Sequence, residues 1–374
     1  MTPAIQTLSD LVRINSVNPA FQNGRPEAEI AAFIGQFFSA CGIETWEQEV
    51  FPGRPNLVAR LPGRNSSRRI VFEAHTDTAS VAGMSIPPFE PEIRGGLLYG
   101  RGACDTKAGL AAMMHALASL ARERLTPPCE VWAVAAADEE YSFRGVLRLC
   151  QGLTAAAGVV SEPTSMRLVT AHKGCLRFRI HTRGVAAHSS KPQLGVNAIT
   201  AMARVVLAIE KDSEELAQLS HPLLDHPTCS IGTIRGGAQV NIVPDWCSIE
   251  IDRRLLPSEQ IPQVLEQYDR LLGGIAGVEA HRDEPMLESG PLQTRVDSAV
   301  AVVAAQVLSG MGLDPAPAGV PYGSDASKLS QAGIPSIVLG PGSIDQAHAA
   351  AEYVECGQVE QAVEFYRRFM LAFE

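Results

Sequence analysis

Five places along this 374-residue chain put metal-ligating side chains where chemistry is commonly done. His75 and Asp77 stand two apart at the end of an apolar, β-favouring run, Ile70-Val71-Phe72. Residues two apart on an extended backbone leave it on the same side. A neutral imidazole binds a metal through one nitrogen, and a carboxylate on the other fixes its tautomer. Asp105 opens a long apolar segment, Glu139 and Glu140 follow the run Glu130–Ala137, Glu162 follows Gly158–Ser161, and His348 lies in GPGSIDQAHAAAEYV. All offer oxygen or imidazole and none offers sulfur, the donor set of a catalytic zinc, cobalt or manganese site rather than a structural one. The charges also balance around two divalent ions. Asp105, Glu140 and Glu162 supply three negative charges, and a bridging hydroxide, the nucleophile of a hydrolase, supplies the fourth.

Each residue has a plainer use. Asp105 could cap a helix, Glu139-Glu140 could be a solvated pair, Glu162 could serve a turn before Pro163, and His348 could lie on the surface. These separate uses do not explain why acids and histidines collect at the carboxyl ends of so many predicted strands, where open α/β sheets place their sites.

The elements that must position them emerge from hydrophobic periodicity. Residues 3–15 and 26–42 have helical spacing, with Ile30, Phe33, Ile34, Phe37 and Phe38 on one face and Gly42 as a stop. Asn56–Leu61 and Arg69–His75 read as strands, Lys107–Leu120 as a buried helix, and Glu130–Ala137 and Gly158–Ser161 as buried strands. Alternation of strands and helices predicts a largely parallel sheet with helices on both faces. The pattern changes near Lys173. Cys175–Thr182 alternates Leu176, Phe178 and Ile180 against Arg177, Arg179 and His181, a sheet with one wet face. A helix (Val196–Lys211), strands Thr228–Arg235 and Pro244–Arg254, a helix (Ser258–Leu272) and a strand near Val278–Arg282 complete the β-α-β-β-α-β order of a ferredoxin-like sandwich. After Pro285 the α/β pattern returns, with a helix at 296–310, a strand at Ser336–Leu339 and a helix at 358–372. The expectation is an α/β domain (residues 1–172 and 287–374) interrupted by an inserted α+β lid or dimerisation domain (173–286). Along Trp246–Arg254, Ile249, Ile251 and Arg253 share one parity and Glu250, Asp252 and Arg254 the other. Arg254 thus belongs to the wet face, where a guanidinium could take a carboxylate in bidentate fashion; the plainer use of the doublet is Arg253 paired with an acid of the insert.

The length exceeds one ordinary core, which favours two domains. With 46% hydrophobic and 19% charged residues the chain is globular, and its net charge of −10 argues against nucleic acid as a partner. Eight cysteines without a Cys-x-x-Cys pair argue against a thiolate zinc cluster and for free thiols of a reducing compartment. MTPAIQTLSD lacks the pattern of a signal peptide, and no apolar run reaches membrane-spanning length, so a cytoplasmic protein without membrane partners is expected.

The segments HTD, GRGACDTKAGLAA, DEE, SEPT, AHKG, GVAAHSS, NIVPD, IDRRLLP and GPGSIDQAH occur in this order. Together they span most of the chain, and the set resembles the acetylornithine deacetylase and succinyl-diaminopimelate desuccinylase family, a branch of the di-zinc aminoacylase and carboxypeptidase superfamily. The resemblance implies a di-zinc amidohydrolase or metallopeptidase with two divalent ions, zinc or cobalt. His75 and Glu162 would hold one ion, Glu140 and His348 the other, and Asp105 would bridge them. Asp77 would orient His75, and Glu139 would be the general base. His188 in GVAAHSS would polarise the scissile carbonyl, often across a homodimer, and Asn241 in NIVPD would be a nearby polar contact. The implied substrate is an N-acyl amino acid. Desuccinylase and carboxypeptidase or dipeptidase activities stay open, as does a non-catalytic metal-dependent binding protein, which would need no base at Glu139. Two departures bear on the pocket rather than the ligands: bulky Tyr141-Ser142-Phe143-Arg144 after DEE, and Ala349–Ala351 after His348.

Overall fold

The strand Asn65–His75 is apolar where it matters, and it is paired on both sides. In the computed structural model, which describes residues 1–374, it runs parallel to Cys129–Ala136, with Ile70 opposite Val131 and His75 opposite Ala136. On its other side it runs parallel to Ala157–Val160, with Glu73 opposite Val160. Ser336–Val338 extends the parallel set beside Ala157–Val160. These four parallel strands are flanked by antiparallel ones. The hairpin Glu44–Phe51/Arg54–Leu61 joins through Leu57 opposite Ala135, and Leu168–His172 joins through Val169 opposite Val338. Because the central strands are parallel and in register, His75, the turn after Ala136 and the turn after Val160 all leave the sheet at one edge.

Burial on both faces explains the near-continuous apolar sequence of these strands. The helix Lys107–Arg122 is buried along almost its whole length and packs on the Asn65–His75 strand and the C-terminal helix Cys356–Ala372. Phe72 meets Tyr366 and Phe369 edge to face, at 5.5 and 5.8 Å between centroids. Burying one such ring contributes about 1.5–3 kcal/mol. Gly109 permits the closest approach: a Cβ there would lie 1.7 Å from Ser161 Oγ, so only glycine lets this helix pass the turn that carries Glu162. Lys107, fully buried, donates to Leu11 O and Ile14 O and so closes the carboxyl end of the first helix, Pro3–Arg13.

The chain forms two compact units, Met1–Thr170 with Thr294–Ala318 and Ser324–Glu374, and Ala171–Gln293 with Gly319–Gly323. In the second, an antiparallel sheet has the order Thr228–Gly236, Trp246–Leu255, Gly174–Arg183, Glu279–Arg282. Leu176, Phe178, Ile180, Ile249 and Ile251 bury one face under the helices Ala198–Leu216 and Ile261–Gly273. The opposite face is wet and charged, with Arg177 on Asp252 and Arg179 on Glu250. Arg253 is buried beside the isoleucines and pairs with Glu259.

Glu44–Phe51 is a strand that periodicity does not reveal. It is an edge strand, partly or fully exposed along its length, and its acidic, polar sequence reflects that position. All eight cysteines are free, and no helix is long and apolar enough to cross a membrane.

His115 gives a stability prediction. It lies on the Lys107–Arg122 helix, with Nε2 2.8 Å from Thr7 Oγ1 and its ring 5.1 Å from that of Phe37. Burial, with Arg122 adding, pushes its pKa from 6.5 down to about 4. The unfolded chain therefore takes up this proton first as pH falls. The contribution is complete above pH 6.5 and is lost between 6.5 and 4, by about 3 kcal/mol at most. Denaturant unfolding across that range should show the loss, and His115→Gln should remove this part of it.

Candidate metal centre

His75 ends its strand buried, and its ring is fixed from one side. Nδ1 lies 2.9 Å from the Asp77 backbone oxygen, which can only accept, so Nδ1 carries a proton. Nε2 then faces Asp105 Oδ1 at 3.1 Å and Glu162 Oε2 at 3.9 Å. A neutral ring would turn its lone pair toward two carboxylates, so the arrangement calls for positive charge there: a bound cation, or a second proton on the ring, which burial opposes but Asp105 and Glu162 favour. Asp105 directs its other oxygen at His348, with Oδ2 3.4 Å from Nε2, and Glu140 Oε2 stands 3.0 Å from the same nitrogen. Two groups result, His75–Asp105–Glu162 and Asp105–Glu140–His348, each with its donor atoms within 4.8 Å of one another. Asp105 belongs to both. The residues fit a pair of divalent ions by donor type, by mutual distance and by the excess of buried negative charge.

The electrostatics bear this out. Burial pushes Glu139, Glu140 and Glu162 up, opposed by His75 at Glu139 and Glu162 and by the hydrogen bond to His348 at Glu140, with neighbouring carboxylates adding to the rise. Burial also opposes the charge on Asp105, yet its hydrogen bonds to His348 and His75 hold it down. Bonds to Asp105 and Glu140 push His348 up to about 10. The inner group is buried, while the His348 side chain is 57% exposed and its residue has φ 58°.

Asp77 does something the sequence does not disclose. Its carboxylate is 3.7 Å from His75 Nδ1, farther than its own backbone oxygen. It accepts instead from the backbone amides of Glu139 (3.0 Å) and Glu140 (3.1 Å) and from Asn18 Nδ2 (2.7 Å). Asn18 donates to Asp138 as well, at 2.9 Å, and Arg54 ties Asp138 to Glu27. Thus the backbone of Asp77 faces His75, and its side chain holds the turn bearing Glu139 and Glu140. Nothing in the sequence marks Asn18 beyond its place before Pro19, and nothing there marks Glu352, four residues beyond His348. Glu73 and Asp325 are a further buried acid pair, and burial pushes both up. Tyr141, exposed, meets Phe21 edge to face at 6.4 Å.

His188, Asn241 and Arg254 belong to the second unit. His188 is exposed on a two-residue strand, opposite Ile242. The Ser190 backbone N–H donates to its Nδ1 at 3.2 Å, which leaves the proton on Nε2. Asn241 is adjacent, its backbone oxygen accepting from Ser189 N at 3.0 Å. Arg254 gives Nε and Nη2 to Asp252, at 2.6 and 3.2 Å, and keeps Nη1 clear of that pair.

Imidazoles and carboxylates gathered at the carboxyl ends of parallel strands make a site suited to divalent metal ions. The model of Peptidase family M20/M25/M40 matches residues 71–372, and the chain belongs to that family. An acetylornithine deacetylase of Myxococcus xanthus is 30% identical over 375 residues, covering 94% of this chain and 93% of its own. Among solved structures, an aminopeptidase from Bacillus cereus superimposes with a TM-score of 0.82 at 25% identity, covering 99% of this chain and 98% of its own. A dinuclear metal-binding peptidase from Bacillus subtilis shares the fold, with a TM-score of 0.74 at 19% identity over 98% of this chain and 96% of its own. The protein is accordingly a metal-dependent amide hydrolase.

Replacing Asn18 tests the network behind the site. Asn18→Ala leaves the buried carboxylates of Asp77 and Asp138 without their shared donor, which should cost about 1–3 kcal/mol. Urea unfolding should show a lower midpoint with an unchanged slope.

Proposed function

We propose that the protein removes the acyl group from an N-acyl amino acid, in the manner of an acetylornithine deacetylase, with two divalent ions, zinc or cobalt, at the edge of the sheet. The observation that carries this reading is Asp105, whose two oxygens face two separate ligand groups. His75 and Glu162 would hold one ion, and Glu140 and His348 the other. When bound, such a pair supplies Lewis acidity and activates a water molecule at neutral pH. Glu139 would take a proton from that water and pass it to the leaving nitrogen as the amide C–N bond breaks, giving a carboxylate and a free amine. Asp77 would fix the turn on which Glu139 stands. A substrate carboxylate would meet the free Nη1 edge of Arg254, with Asn241 as a further polar contact.

Turnover of a panel of N-acetyl amino acids, N-succinyl amino acids and dipeptides by the zinc- or cobalt-loaded protein tests the substrate class. N-acetyl compounds should be the best substrates. Glu139→Gln should keep two ions per chain by metal analysis and lose about 10²–10⁴-fold in turnover. Turnover equal to that of the unaltered protein would remove Glu139 from the mechanism.

We further propose that residues 173–286 serve as lid and dimerisation domain of a homodimer, with His188 acting on the partner's substrate. The Nε2–H left by the Ser190 contact is the donor that a developing oxyanion needs. The same domain leaves Thr228–Gly236 as an exposed edge strand that a second copy could pair with. Mixing inactive His188→Ala with inactive Glu139→Gln subunits should restore activity, because one site of each mixed dimer is then intact. Persistent inactivity after demonstrated subunit exchange would place His188 in its own chain's reaction or outside it.

A further inference from the structure

Glu352 is fully buried, and all its polar contacts lead to one loop. Oε1 accepts from the backbone amides of Cys104 (2.8 Å) and Asp105 (3.0 Å). Oε2 accepts from the Gly102 amide (3.1 Å) and from Arg101 Nη1 (2.7 Å). Arg101 in turn donates to Ser80 O at 2.8 Å, in the loop beyond His75 and Asp77. The backbone around Glu352 adds to the tie: its own carbonyl accepts from Gly100 N, and Tyr353–Glu355 pairs antiparallel with Leu97–Tyr99. Glu352 lies four residues after His348. One carboxylate therefore joins the loop that ends in Asp105 to the segment that carries His348.

We infer that Glu352 is a positioning residue for the metal centre: it sets the Asp105 backbone, and through it the two carboxylate oxygens that face the two ligand groups, in register with His348. The physical reason is economy of donors. Amides at 102, 104 and 105 have turned inward away from any strand or helix, and without an acceptor they would be buried and unsatisfied. A carboxylate satisfies three of them and is itself neutralised by Arg101, so the loop has one low-energy arrangement. An uncharged side chain would leave the buried Arg101 guanidinium without its counter-charge, and the loop free to move the shared ligand by more than a coordination bond tolerates.

This inference rests on the two-ion reading, and the experiment separates the two. Metal-free protein is titrated with zinc against a chromogenic chelator, for the unaltered chain, Glu352→Gln, Glu352→Ala and Arg101→Met. Val307→Ala, a core change in the helix Ala299–Gly310, serves as a control for lost stability alone. Circular dichroism and melting of the metal-free proteins establish folding. The unaltered chain should bind two ions. Folded Glu352 variants should bind zinc about 10–100-fold more weakly, with Gln milder than Ala, and their cobalt-loaded forms should show an altered visible spectrum. Val307→Ala should keep both affinity and spectrum. Unchanged zinc affinity and cobalt spectrum in the Glu352 variants overturn the inference. If neither Glu352 variant folds, Arg101→Met carries the comparison, and unchanged affinity there overturns it equally. Fewer than two ions on the unaltered chain would instead sink the two-ion reading.

Discussion

Buried negative charge is the condition around which the first unit is arranged. Asp105, Glu139, Glu140 and Glu162 crowd one edge of a sheet with only two imidazoles among them, and loss of water raises the cost of every charge there. Nothing in a hydrophobic core would keep such a set together. It persists because the surrounding chain fixes each carboxylate from behind: parallel strands deliver their C-terminal residues to one edge, and the turns after them are tied down by hydrogen bonds that do not involve the ligand atoms. The stability of the sheet is thereby coupled to the geometry of an electrostatically unfavourable cluster, which divalent cations relieve.

Two buried carboxylates outside the two ligand groups, Asp77 and Glu352, accept from the backbone of the turns on which the clustered acids stand. Asp77 accepts from the amides of Glu139 and Glu140, and Glu352 from those of Gly102, Cys104 and Asp105. In both cases an acid holds backbone, and the backbone holds an acid that faces the cluster. Each also accepts from a polar side chain, Asp77 from Asn18 and Glu352 from Arg101. A neutral acceptor could satisfy the amides but would not draw these partners in as strongly, since hydrogen bonds to ionised groups are roughly twice as strong as neutral ones.

How much of this is legible in the sequence depends on the range of the interactions. The runs Ile70-Val71-Phe72 and Val131–Ala136 announce buried strands because both their faces are covered, and the acids after them stand out by contrast. The alternation in the second unit likewise separates buried Arg253 from half-exposed Arg254. Local pattern fails where a partner lies far along the chain. Asn18 meets Asp138 across 120 positions and Glu352 meets Arg101 across 251. Neither has a periodicity that marks it. Asp77 is visible as a residue near His75, but two oxygens of the same residue can reach Nδ1, and only coordinates distinguish the backbone one at 2.9 Å from the carboxylate at 3.7 Å. The strand Glu44–Phe51 is hidden for a different reason: at a wet edge, burial imposes little pattern.

The two ligand groups are unequal, and the inequality arises from the same architecture. His75, Asp105 and Glu162 lie buried at the ends of central strands or against the helix that Gly109 brings close, so moving any of them means moving the core. His348 comes from a segment between a short 3-10 turn and a three-residue strand, adopts a left-handed backbone, and keeps more than half its side chain in solvent. Its freedom is limited chiefly on its C-terminal side, by the buried Glu352 and by the pairing of Tyr353–Glu355 with Leu97–Tyr99. Asp105 joins a buried inner group to an outer one whose His348 is open to water while its Glu140 side chain is buried. The shared carboxylate is thus held from the buried side, and a fixed ligand of that kind is what a preorganised centre requires.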